Sequence, residues 1–272
     1  MSFNREEPAL KIIPNSLLQK YLEALPSGLK EAFNALKDAE ISTGNFSFYT
    51  SVASVFSSKI EGEEIELDSY IKHKKFGVEF LPDHTKKIDD LYDAYIFAKV
   101  NPLTVENVFS AHNILSQNLL AGHLRGKYRT QNMYISTSDG RIEYVAASPF
   151  EVPTEMEKFY DDVTALLSQE MSFEEVFFYA SMIHLVFVKI HPWADGNGRC
   201  SRLLEKWFLA SKLGDKAWFI QSEKNYYMHH KTYYDNLRIL GLEYQQLDYS
   251  KALPFLLMLP SSITSPLSQT RS

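Results

Sequence analysis

Cysteine is almost missing from this 272-residue sequence: Cys200 stands alone, so no intrachain disulfide can form and the reducing cytoplasm is the expected setting. No apolar segment precedes a cleavage site near Met1, which disfavours secretion. Positive charge is not in excess. A net charge of -6 provides no basic footprint for DNA or RNA, so nucleic acid is not an expected partner. Long hydrophobic runs are missing too. The most apolar stretch, Phe177 to Ile190, is interrupted by His184 and Lys189 and falls short of the roughly 20 residues that cross a bilayer. It reads as a central buried helix, and no membrane contact is expected. There is no internal repeat and no clear linker. The histidines, His229-His230 included, lack the spacing with carboxylates that would argue for zinc.

What is present describes an ordinary globular chain, with 45% hydrophobic and 23% charged residues, enough for a sizeable core. Apolar residues recur at helical spacing in Leu29, Phe33 and Leu36, and again in Met156, Phe159, Tyr160, Val163, Leu166 and Leu167. Pro153 and Thr154 open the second of these helices, and Ser172 with Glu175 forms a capping box ahead of the apolar run that ends at His191. A further helix is predicted over 104–120, where Val105, Val108, Phe109, His112, Leu115 and Leu119 share a face, with His112 a core residue. The protein therefore reads as mainly α. One stretch departs from the pattern: Asn132 to Val145 is rich in β-formers around Asp139-Gly140 and reads as a single hairpin. Ser261 to Ser272 is rich in Ser, Thr and Pro and reads as a mobile tail. The expected organisation is an N-terminal helical region over 1–100, a catalytic core over 101–255 and a tail over 256–272.

The chemistry concentrates between His191 and Arg202, in a loop joining two helices. Gly196 and Gly198 let backbone amides converge, and the helix that follows aims its unpaired N–H groups and positive dipole end at the same point. Arg199 and Arg202, three apart, share a face and can grip phosphate oxygens. Asp195 supplies the hard carboxylate oxygen that Mg²⁺ takes when water and phosphate fill its other positions. His191, at the rim, suits a general base near neutral pH. Asp-Gly-Asn-Gly alone is a common turn. Two arginines, a carboxylate and a histidine in the same window point instead to a catalytic loop handling a nucleotide. Cys200 stands where a helix N-terminus can lower a thiol pKa, but reads as a small packing residue.

This window resembles the Fic family motif: His, any, Phe, any, Asp or Glu, Gly, Asn, Gly, Arg, two variable residues, Arg. Only Trp193 departs, a larger aromatic in place of Phe. The resemblance runs from about Phe46 to about Leu237 and implies a Fic-type helical core with one β-hairpin flap. It implies an ATP-dependent protein adenylyltransferase: His191 deprotonates a Ser, Thr or Tyr hydroxyl of a target protein, which attacks the α-phosphate of ATP. Asp195 would hold Mg²⁺. Asn197 and the Gly196 and Gly198 amides would cradle phosphates, and Arg199 and Arg202 would hold the β- and γ-phosphates. Gly126-Lys127-Tyr128-Arg129 resembles the signature preceding the family's flap, so the target would dock on residues 132–145. Tyr233-Tyr234 resembles a pair near the adenine pocket. The polar residue that some members carry two turns later is not recognisable, since Gly241 and Leu242 occupy that region. Base selectivity stays open.

Ser57-Ser58-Lys59-Ile60-Glu61-Gly62 resembles the family's inhibitory signature, a Ser or Thr four residues before a Glu that is followed by Gly or Asn. By that resemblance Glu61 pairs with Arg202 and restrains the enzyme. The alternatives are removal of AMP by the same site, and a nucleotide-sensing regulatory or antitoxin-like protein, against which the intact His191 argues. The target, its modified residue, self-modification and homo-oligomerisation are open at this level.

Overall fold

The structure, a computed structural model, describes residues 9–44, 46–80, 82–136 and 142–264. Among the described residues six α-helices precede a hairpin: α1 (Leu18–Ala24), α2 (Leu29–Asn34), α3 (Phe48–Ile60), α4 (Leu67–Phe76), α5 (Pro82–Val100) and α6 (Val105–Leu115). Strands β1 (Tyr134–Ser136) and β2 (Ile142–Val145) follow, then α7 (Val152–Ser168), α8 (Phe173–Ile190) and α9 (Asn197–Leu213). The chain continues through α10 (Ser222–Met228), α11 (His230–Arg238), α12 (Leu253–Leu256) and α13 (Met258–Thr264). The mainly helical class holds, with one two-stranded antiparallel sheet among the described residues.

The centre is α8 packed on α9. Helix α8 starts where expected, with both halves of the Ser172/Glu175 capping box formed. It is buried on every side, Lys189 included. A surface helix shows one apolar stripe; α8 lies inside its neighbours and needs none of the polar face such a stripe implies. Helices α3, α5 and α6 pack on α9 from the N-terminal part of the chain, while α7 covers both α8 and α9. Tyr21, Phe33, Ala53 and Leu91 share one core with Phe177, Phe187 and Leu204, so helices on both sides of residue 100 are built on the same apolar interior. A smaller satellite core joins Val55, Ile65, Tyr70, Ile88 and Tyr92. Among the described residues no helix is long and apolar enough to cross a membrane.

Three boundaries differ from the sequence reading. Helix α2 stops at Asn34, and Leu36 packs on the core from just beyond it. Helix α6 stops at Leu115, short of residue 120. Asp90 takes the Asn118 backbone N–H at 2.7 Å and the Ser116 hydroxyl bonds the His112 carbonyl, which turns the chain out of the helix. Residues 258–264, expected as tail, form α13 with Leu259 and Ile263 buried, because these two apolar side chains, four apart, fall on one helix face. The remaining tail residues, 265–272, and the Asp139-Gly140 turn lie outside the described residues.

The hairpin is propped from two sides. Tyr134 pairs with Val145 and Ile135 with Tyr144. The Val145 N–H donates to the Leu242 carbonyl at 2.8 Å, so the segment after α11 supports β2. At its base, the buried Arg129 guanidinium donates to the carbonyls of Gln131, Ala147 and His191, joining both feet of the hairpin to the end of α8.

Candidate active site

Where α8 ends, His191 takes up a left-handed backbone conformation, φ 56° and ψ 59°, and is the one non-glycine residue with positive φ among the described residues. That conformation costs of order 1–3 kcal/mol in a residue other than Gly, so the surroundings must hold it. They do so at three atoms. The His191 N–H donates to Phe187 at 3.0 Å, its carbonyl accepts from Arg129 Nε at 2.7 Å, and its ring Nδ1 lies 3.1 Å from the Val188 carbonyl. A carbonyl can only accept, so Nδ1 carries the proton and Nε2 keeps its lone pair. Burial lowers the imidazole pKa to about 4, so the ring is neutral at physiological pH. His191 thus presents a neutral imidazole with an available lone pair on Nε2.

The loop after it is locked by side chains that the sequence motif assigns elsewhere. Asn197 turns both ends of its buried amide to Trp193, accepting from its N–H at 2.8 Å and donating to its carbonyl at 2.9 Å. Any contact of Asn197 with phosphate therefore falls to its backbone N–H, one of the unpaired donors at the start of α9. Trp193 is fully buried, stacked on His112 at 4.3 Å and flanked by Tyr128 and Phe109. His112 is the core residue expected, and it also braces the loop. It accepts the Gly126 N–H at 3.0 Å through Nδ1 and donates through Nε2 to the Asp195 carbonyl at 3.0 Å. Gly196 presses against α6, where a Cβ would come within 2.9 Å of Leu115.

A cleft of about 210 Å³ opens beside the loop, walled by Glu61, Tyr144, Lys189, His191, Gly198 and Arg202 together with Tyr233 and Tyr234. Asp195, Asn197 and Arg199 are not among the lining residues. The Asp195 side chain caps the loop, accepting the Gly196 N–H at 2.6 Å, on an exposed residue. Cys200 is buried beneath the loop, and burial pushes its thiol up to about 12, which makes it an inert packing group.

Glu61 crosses this cleft. Its Oε1 accepts from Arg202 Nη2 at 2.6 Å. Burial opposes ionisation of Glu61, but Arg202 and Arg199 overcome it and hold the carboxyl below its ordinary range. Ser57 holds the same guanidinium twice, through its hydroxyl at 2.8 Å from Nε and its carbonyl at 3.0 Å from Nη2. A Cβ at Gly198 would come within 2.3 Å of Glu61 Oε1, so glycine there is what lets the carboxylate close over the loop. Gly62 has φ of 90°, which releases the chain from α3 just after Glu61.

Several participants carry no sequence signal of their own. Glu63 pairs with Arg199 at 3.4 Å and with Lys87 at 2.8 Å, yet in the run Glu61-Gly62-Glu63-Glu64 it reads as one more solvated acid. Lys189 is buried with its Nζ 4.0 Å over the Tyr144 ring, and burial lowers its pKa to about 8. Position 189 inside an apolar helix was the only hint.

The Fic/DOC family model matches residues 102–209. That segment of the chain is a Fic/DOC match. Residues 113 in number align at 27% identity with the Protein adenylyltransferase Fic of Nematostella vectensis, covering 40% of this chain and 23% of that relative. The protein of the same name from Aedes aegypti is 43% identical over 61 residues, 22% of this chain and 11% of that relative. The chain thus spans less than a quarter of the length of these curated relatives. In three dimensions it resembles the crystal structure of a Fic family protein from Desulfovibrio desulfuricans G20, with a TM-score of 0.72 and 19% identity over 98% of this chain and 78% of that one. At that identity the likeness establishes the fold. The Fic match covers α6 through most of α9, so it contains the His191 loop, while Glu61 and Tyr233 lie on either side of it.

Proposed function

We propose that this protein transfers AMP from ATP to a Ser, Thr or Tyr hydroxyl of a target protein and is restrained by its own Glu61. The observation that carries the reading is the 2.6 Å Glu61–Arg202 pair lying in the same cleft as a histidine whose Nε2 is free to accept a proton. In this reading 1–100 contributes the restraint and 101–255 the catalysis. The target strand lies along the hairpin, whose edges offer main-chain groups, and brings its hydroxyl to His191. His191 takes the hydroxyl proton as the oxygen attacks the α-phosphate. The α9 amides and the arginines stabilise charge on the phosphates, and pyrophosphate leaves.

Mg²⁺ fits this site in one way. Among the described residues no group of three or more His, Cys, Asp or Glu gathers to hold a metal. An ion here would rest on Asp195 with phosphate oxygens and water, the arrangement Mg²⁺ favours beside nucleotides. Bound there, it would neutralise phosphate charge. Removal of AMP by the same site is a second reading, favoured by the Glu61 carboxylate facing the cleft that His191 lines, where it can orient a water.

Replacing Glu61→Gly tests the proposal. With labelled ATP and a cell lysate, transfer, including self-modification, is expected to rise above wild type. Arg202→Ala removes the same ion pair together with a phosphate ligand and is expected to give no gain, and the double variant should match Arg202→Ala because both act through one contact. Unchanged transfer in Glu61→Gly over a range of ATP and Mg²⁺ concentrations would refute the restraint. Release of AMP from a premodified substrate then separates the two readings.

A further inference from the structure

Behind Arg202 lies a chain of polar side chains that none of the roles above requires. Arg202 Nη1 is 3.4 Å from the Tyr233 hydroxyl, which is 3.0 Å from His184 Nε2; His184 Nδ1 is 2.7 Å from Glu205 Oε2. Tyr226 donates to the same Glu205 oxygen at 2.7 Å. These residues come from α8, α9, α10 and α11, and all are buried, with Arg202 and Tyr233 at 1% exposure and His184, Glu205 and Tyr226 at 0%.

A guanidinium only donates, so the Tyr233 oxygen accepts from Arg202, and in the arrangement that gives every group a partner its own proton goes to His184 Nε2. The histidine then carries its proton on Nδ1 and donates it to Glu205. Burial pushes the Tyr233 hydroxyl up to about 12, so it keeps the proton this arrangement needs. His184, Glu205 and Tyr226 have no exposed surface, so a partner lost there is not replaced from solvent, and each link therefore orders the next. Ser57 holds Nε and Nη2 of the same guanidinium from the opposite side. When Glu61 withdraws, Ser57 and Tyr233 are the anchors that stay.

We propose that Glu205, His184 and Tyr233 form a buried positioning relay that keeps the Arg202 guanidinium aimed into the cleft, ready for the terminal phosphates of the nucleotide. This rests on the reading of Arg202 as a phosphate ligand. His184 and Glu205 are not among the walls of the cleft, whereas Tyr233 also lines it; all three act on the phosphates through Arg202, and their contribution is greatest for a nucleotide carrying β- and γ-phosphates.

Calorimetric titration of the full chain with ATP and with AMP, in Mg²⁺, tests the relay. Glu61→Gly combined with His191→Ala serves as the background, because it frees Arg202 and prevents turnover. Tyr233→Phe removes one hydroxyl and keeps the ring. Glu205→Gln removes the charge while its nitrogen takes the place of Oε1, which has no partner. Each is expected to weaken ATP binding about tenfold, the scale of one hydrogen bond to a charged group, while AMP binding moves less than about twofold. Arg202→Ala should show the same selective loss, and Tyr233→Phe with Glu205→Gln should be no weaker than the worse single change. ATP binding unaltered by Tyr233→Phe and Glu205→Gln, beside a clear loss in Arg202→Ala, would overturn the relay alone. Equal weakening of ATP and AMP would mark the network as a fold support and overturn it too. No loss in Arg202→Ala would overturn the phosphate grip and the relay with it. Circular dichroism checks that each variant is folded.

Discussion

At the scale of single residues, the site is a set of protonation and orientation choices made by neighbours. The Val188 carbonyl decides that His191 presents Nε2 as a base, and burial brings its pKa to about 4, below the 6.5 of an ordinary histidine. A lowered pKa means the base form persists as pH falls. Transfer by the Glu61→Gly enzyme should therefore show no His191 break between pH 8 and about 5 and should fall only toward pH 4; a pH–rate profile that bends near 6.5 would contradict the buried base. His191→Ala is expected to lose about 10² to 10⁴ in transfer rate, measured with labelled ATP, while ATP still binds. Asp195→Ala should lose Mg²⁺-dependent transfer with partial rescue by excess metal, since no other carboxylate lies within the loop. A variant with the rate and metal dependence of wild type would reduce Asp195 to the loop cap it visibly is.

At the scale of elements, the hairpin and the loop that follows His191 are one assembly because Arg129 bonds both. Its guanidinium reaches four carbonyls, those of Gln131, Ala147, Ile190 and His191. A lysine cannot reproduce that planar fork. Arg129→Lys should lower stability by about 2–4 kcal/mol, since hydrogen bonds from a charged group contribute about 1.5–3 kcal/mol each and lysine keeps part of them. Urea denaturation measures that loss. Transfer to a protein target should fall more than ATP binding does, because the hairpin feet loosen before the cleft does. Binding of ATP that falls in step with transfer would show that Arg129 supports the whole loop equally.

At the scale of the whole molecule, the last described helix closes the core. Leu259 and Ile263 of α13 are buried in the same cluster as Phe255 and Leu256. Full burial of such side chains is worth about 1.5–3 kcal/mol each, so removing residues 258–272 should cost roughly 3–6 kcal/mol, a large part of a typical domain's stability. Thermal unfolding would show it as a lower midpoint; an unchanged midpoint would return α13 to the status of a tail. Acid should weaken the whole fold as well. His112 and His191 both have folded pKa values near 4, lowered by burial, so the unfolded chain binds their protons first. Their contribution is fully present above pH 6.5 and declines as pH falls from there toward 4.

Local pattern determined much of this protein. Helical periodicity marked α7, an apolar run and its capping box marked α8 and where it starts, and the spacing of glycines and arginines after His191 marked the loop, because each is a signal written within a few neighbouring residues. What only the tertiary structure decided are partnerships between residues far apart in the chain. Asn197 turns its amide onto Trp193, Glu63 meets Arg199, Arg129 collects carbonyls from three segments, and Glu205 lies behind Arg202 through His184 and Tyr233. Such contacts carry no period or spacing, since a buried polar atom takes whichever partner the packed helices bring within reach.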